Sequence, residues 1–151
     1  MLYNLLLGFT RIREKEEVVV FARNLTPPPP ITSGVRWVNL HSAPRTNRFI
    51  QETVWLPKYT RGYRALLSPN YFTPPIRTAQ RNVTVIHDLQ YINLPENFSS
   101  RKRLWLRAAH LATLRWADAV VAISQFVRGD ILEKYGDQYA HKVHVIPNTV
   151  S

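Results

Sequence analysis

Residues 83–100, VTVIHDLQYINLPENFSS, decide how the rest of the chain is read. Val83 to Ile86 run without polar alternation, the pattern of a strand covered on both faces. The run stops at His87-Asp88. A loop follows, and Ser99 or Ser100 then offers a side-chain oxygen to cap a helix that extends to about Trp116. A histidine and an aspartate at a strand's carboxyl end have two readings. They are ordinary polar residues at a strand exit, or they are the edge of an active site.

The same alternation of strand and helix extends in both directions. Towards the amino terminus, Leu2, Leu5, Leu6 and Phe9 recur at helical spacing and predict a helix over residues 2–15. Val18 to Ala22 and Val35 to Leu40 predict strands. Pro27 to Pro30 cannot lie in a helix or a central strand and predict an exposed, stiff connector. A helix over Thr46 to Leu56 is expected to close at Pro57 and Gly62. Ala65 to Ser68 is a short strand stopped by Pro69, and residues 70–82 form a loop. Towards the carboxyl terminus, Ala119 to Ile123 is a strand. Ser124 caps a helix from Gln125 to about Tyr135, ended by Gly136. Val143 to Ile146 is a last strand, broken by Pro147. Continuous apolar strands alternating with helices predict an α/β domain, with a Rossmann-like, doubly wound parallel sheet.

Ligands of open parallel sheets bind outside the carboxyl ends of the strands. Three polar exits fall there: Ser68-Pro69-Asn70, His87-Asp88 and Ser124-Gln125. His87 is a candidate general base or hydrogen-bond partner of a substrate hydroxyl, and Asp88 a candidate to orient it. The plainer role of Asp88 is to cap the turn at Leu89. Ser124 stands where free helix N–H groups favour a phosphate, or is simply an N-cap. On the helix near 101–116, Arg103, Arg107 and His110 are four and three residues apart and share a face. Leu104, Ala108 and Leu111 form an adjoining apolar stripe, widened by Trp105, Ala109, Ala112 and Trp116. One reading lays that stripe on the sheet. The other makes Arg103 and Arg107 contacts for anionic lipid or for an acceptor phosphate.

Composition narrows the classes. The net charge of +10 favours polyanionic partners without choosing among nucleic acid, anionic membrane and phosphorylated small molecules. There is no cysteine, which excludes disulfides, thiolate metal sites and a cysteine nucleophile. The histidines show no metal-ligand spacing. No run is long enough to span a membrane, and the apolar start lacks the features of a signal peptide. Sequence patterns for N-glycosylation at Asn24, Asn82 and Asn97 carry weight only in a secreted chain. No glycine-rich phosphate loop and no nucleophile elbow is present.

Taken in order, VTVIHDLQYINLPENFS, RWADAVVAISQFVRGDIL and KVHVIPNTV resemble the N-terminal domain of GT-B glycosyltransferases of the group 1, family 4 type. The matching positions are His87-Asp88, Ala117-Asp118, Ser124, Phe126, Asp130-Ile131, Tyr135-Gly136 and Ile146-Pro147-Asn148. Thr149 departs from the family's usual glycine. The likeness is close over residues 64–150 and looser before them. It implies a retaining transfer from a nucleotide-sugar to a glycan or lipid acceptor, without a metal. His87 would lie by the transferred sugar with Asp88 supporting it as the second catalytic candidate, and Ser124 and Asn70 would bind substrate at the cleft. It also implies that residues 1–147 are the acceptor-side domain, lacking the family's first strand, and that 148–151 begin a linker to an absent donor-binding domain. On this reading the chain is a fragment, cytoplasmic or peripheral at a membrane, and inactive alone. The alternatives are a non-catalytic partner subunit of a split transferase and a basic nucleic-acid-binding protein, for which no recognition signature exists.

Overall fold

The computed structural model describes residue 8, residues 17–22, 35–39, 53, 56–70, 72–73 and 79–148. The chain is α/β with parallel sheets, as expected, and its described strands fall into two sheets in two compact units. The first unit contains β1 (Val18–Ala22) and β2 (Val35–Asn39), paired in parallel with Val18 opposite Val35 and Ala22 opposite Asn39. Both strands occupy the predicted segments. Of the helix expected over residues 2–15, Gly8 is helical; the rest of it and the proline run lie outside the described residues.

The second unit, Phe49–Asn148, carries the larger sheet. Of the helix expected over Thr46 to Leu56, Thr53 and Leu56 are helical and the rest lies outside the described residues; the helix labelled α1 is Leu56–Thr60. Pro57 was expected to close a helix and instead lies inside α1. A first helical turn tolerates proline because the N–H it lacks has no intrahelical partner there. Gly62, at φ 92°, turns the chain into β3 (Ala65–Ser68). There follow β4 (Arg81–Ile86), α2 (Gln90–Asn93), α3 (Ser100–Trp116), β5 (Ala119–Ala122), α4 (Gln125–Tyr135) and β6 (Val143–Val145). The order β3-β4-β5-β6 is parallel throughout, so successive strands are neighbours and each connection crosses over. This is the Rossmann-like pattern that continuous apolar strands require.

β4 starts two residues earlier than the apolar run suggested. Asp118 Oδ2 accepts from the Asn82 backbone N–H at 2.7 Å, and the Asp118 N–H donates to the Asn82 carbonyl at 2.8 Å. These bonds fix the amino ends of β4 and β5 together and give the Ala117-Asp118 pair a structural role. Asn82 is itself buried, so it cannot carry a glycan.

Both predicted caps form. Ser99 Oγ accepts from Lys102 N, and Ser124 Oγ accepts from Val127 N at 3.1 Å. Gly136 ends α4 at φ 105°, and a Cβ there would strike the Gln138 side chain. Gly136→Ala is therefore expected to lower the unfolding free energy by about 1–3 kcal/mol, read from urea denaturation. A stability equal to the parent's would contradict this backbone assignment.

The core of this unit lies between the sheet and its helices. Ile86, Val120 and Ala122 from the strands meet Leu106 and Leu114 of α3 and Val127 and Ile131 of α4. Of the apolar stripe assigned from sequence, Ala109 is buried and Leu111 and Ala112 are half-buried, but Leu104, Ala108, Trp105 and Trp116 are exposed. Leu104 is 72% exposed, and α3 buries Leu106, Ala109, His110, Thr113 and Leu114.

Candidate active site

The sheet order places the exits of β3, β4 and β5 side by side at one edge. Ile86 ends β4 fully buried, and the next residue, His87, is half-buried. His87 Nε2 lies 2.8 Å from the Pro69 carbonyl. A carbonyl only accepts, so Nε2 carries the proton. A neutral ring then keeps Nδ1 as an acceptor, and a protonated ring has a second donor there. The contact joins two of the predicted polar exits. It runs through the Pro69 backbone, beside the exposed Asn70.

Asp88 is exposed, and its Oδ1 accepts from Gln90 N at 3.1 Å. The carboxylate thus caps the turn that opens α2, the plainer of its two expected roles. Ser124 is half-buried at the exit of β5 and acts as the N-cap of α4. Two residues on, Phe126 is exposed.

The segment after Asn70 is anchored from beneath. Thr73 N–H donates to Thr113 Oγ1 of α3 at 2.9 Å, and the Thr73 and Thr84 hydroxyls bond to each other. All three threonines are buried. A hydroxyl from each of a loop, a strand and a helix therefore holds the exit of β3 in place. Buried threonines in an apolar run carry no sequence signal of such a partnership.

The turn after His87 is anchored from the other side. The Tyr91 and Tyr135 hydroxyls are hydrogen-bonded, and Asn93 Nδ2 donates to Asp130 Oδ2 at 2.6 Å. Thus α2 is fastened to α4 twice. Asp130 and Tyr135 were marked in the sequence as motif positions, but their partners Asn93 and Tyr91 were not. Burial and the Tyr135 hydroxyl push the Tyr91 phenol well above its ordinary range, so it stays protonated and able to donate. Burial likewise raises Tyr135, with Tyr91 and Arg107 acting the other way.

His110 completes this cluster. Its spacing puts it on the same side of α3 as Arg103 and Arg107, but at a different depth. It is 2% exposed, while both arginines are exposed. Its Nδ1 lies 2.8 Å from the Leu106 carbonyl, and its ring packs against Tyr91 and Tyr135 at centroid distances of 5.1 and 6.4 Å. Burial pushes the imidazole below its ordinary pKa of 6.5, against the opposing effects of the Leu106 carbonyl and Asp88. The unfolded chain then binds a proton at a pH where the folded chain does not. Stability is full above pH 6.5 and falls as the pH drops below it. Thermal denaturation from pH 8 to about pH 5 should lose part of its acid-side slope in His110→Gln. Identical slopes in the two proteins would contradict a neutral, buried His110.

Among the described residues no three of His, Cys, Asp or Glu form a group that could hold a metal ion. Among them, too, no helix is long and apolar enough to cross a membrane. In comparisons with known proteins, the family model described as Glycosyltransferase Family 4 matches residues 2–151. No curated protein and no solved structure matches the chain.

Proposed function

Because this chain belongs to glycosyltransferase family 4, we propose that it supplies the acceptor-side wall of a retaining glycosyltransferase of the GT-B type. The sugar would come from a nucleotide-sugar and pass to a hydroxyl of a glycan or lipid acceptor. The bond from the anomeric carbon to the diphosphate oxygen breaks, and a bond to the acceptor oxygen forms. The nucleoside diphosphate leaves with the electron pair, and the acceptor hydroxyl loses its proton. The donor is a substrate, and the reading calls for no resident metal.

The observation that carries this reading is the placing of His87. It directly follows the fully buried end of β4, with Nε2–H committed to the Pro69 carbonyl. That bond sets the ring's tautomer and orientation, as a group that must meet a sugar hydroxyl requires. Asp88 holds the turn that follows, and Asn70 and Ser124 border the same edge. Residues fixed at adjacent strand exits suit a ligand with several hydroxyls better than one with a single polar group.

Product stereochemistry tests the proposal. The protein, purified as the cell makes it and with the domain or partner chain that supplies the donor-side wall, is incubated with labelled nucleotide-sugars and with glycan and lipid acceptors. The anomeric configuration of the product is then read by proton NMR. A product with the donor's configuration is expected. An inverted product, or no transfer from any nucleotide-sugar, would contradict the proposal.

A further inference from the structure

We propose that the outward face of α3 is a docking surface for an anionic lipid bilayer. The face is defined by what α3 does not bury. Its inward residues, Leu106, Ala109, His110, Thr113 and Leu114, take one side of the helix. At about 100° per residue the opposite side is centred on Leu104, Ala108 and Arg115, flanked by Arg101, Trp105 and Trp116. Leu104 is 72% exposed and Trp116 50%. Twelve residues of helix separate these two, so the apolar anchors stand about 18 Å apart.

The charges on this helix have one sign. The sequence of α3, SRKRLWLRAAHLATLRW, contains no acidic residue; Arg101 and Arg115 lie on its outward side, and Lys102, Arg103 and Arg107 are exposed away from that side's centre. The chain as a whole carries +10. An exposed leucine and tryptophan among arginines fit the boundary of a bilayer, where acyl chains take the apolar groups and lipid phosphates take the guanidinium groups. A nucleic-acid backbone satisfies the arginines but gains nothing from Leu104 or Trp116.

This proposal stands apart from glycosyl transfer and has its own measurement. The chain is sedimented with vesicles of phosphatidylcholine alone and of phosphatidylcholine mixed with phosphatidylglycerol, at low and high salt, beside a duplex DNA binding assay. Binding to the mixed vesicles, weakened by salt, is expected, with little binding to phosphatidylcholine alone. Arg101→Glu/Arg115→Glu and Leu104→Ser/Trp116→Ser should each weaken it by about tenfold or more. All four positions are exposed, and circular dichroism checks that each variant keeps its fold. No sedimentation with the mixed vesicles would overturn the proposal. So would undiminished binding by folded Leu104→Ser/Trp116→Ser, which would reduce the interaction to charge alone. Duplex DNA bound as tightly as the mixed vesicles, with the serine variant unaffected, would assign the surface to nucleic acid instead.

Discussion

Replacing His87 by alanine should lower glycosyl transfer by about 10²–10³-fold, the usual cost of removing one oriented polar group from a reacting centre. The fold should barely register the change. His87 is half-buried and gives up a single hydrogen bond, to the Pro69 carbonyl, which contributes about 1 kcal/mol. Activity and stability therefore separate at this position. His87→Gln sharpens the test, because a carboxamide can still donate to Pro69 but cannot shuttle a proton. If His87 only bonds sugar hydroxyls, glutamine should recover part of the lost rate. If it moves a proton, glutamine should fare no better than alanine. Alanine with parental activity would remove His87 from the site.

The largest effect on stability is expected at Ile131. Its side chain is fully buried on α4, in the cluster with Ile86, Leu114 and Val120. Truncation to alanine leaves a cavity that the surrounding strands and helices cannot fill, at a cost of about 3–4 kcal/mol. A domain of ordinary stability, about 5–15 kcal/mol, would lose a large share of it. Phe126, on the same helix, is 72% exposed, and Phe126→Ala should cost less than about 0.5 kcal/mol. Urea denaturation of the two variants decides the matter. Equal losses would mean that α4 does not present Ile131 inward and Phe126 outward.

Strands and caps were legible because their signals are local. Val18–Ala22 and Ala65–Ser68 are where their apolar runs lie, and Ser99, Ser124 and Gly136 bound their helices as their side chains or backbone freedom dictate. The family likeness was legible in the ordered series from His87-Asp88 to Ile146-Pro147-Asn148. The facing of α3 was not. From helical spacing the apolar side was read as Leu104, Ala108 and Leu111 with their neighbours, beside a face of Arg103, Arg107 and His110. The structure buries the side with His110 and Thr113 because both have internal partners. His110 is bonded to Leu106 one turn earlier, and Thr113 to Thr73, 40 residues away in sequence. Buried polar groups that are satisfied cost little, and a distant partner such as Thr73 cannot be read from spacing.

The same limit applies at the site. His87 and the β3 exit were both singled out, but nothing in the sequence tied the ring to the Pro69 carbonyl. The Tyr91–Tyr135 and Asn93–Asp130 contacts join segments separated by more than 30 residues and depend on α2, a short helix hidden in what reads as a loop. Asp118 was marked only as a motif residue, and its bonds to the Asn82 backbone and its ion pair with Arg81 emerge once β4 and β5 are aligned.

The most direct test of the central claim is transfer of labelled sugar from nucleotide-sugars to extracted glycan and lipid acceptors. It compares the protein as the cell makes it with its His87→Ala variant, both normalised to folded protein and both with the donor-side domain or partner chain present. The predicted result is acceptor-dependent transfer by the parent and about a hundredfold less by the variant. Equal transfer by the two, or none from any nucleotide-sugar, would contradict the account.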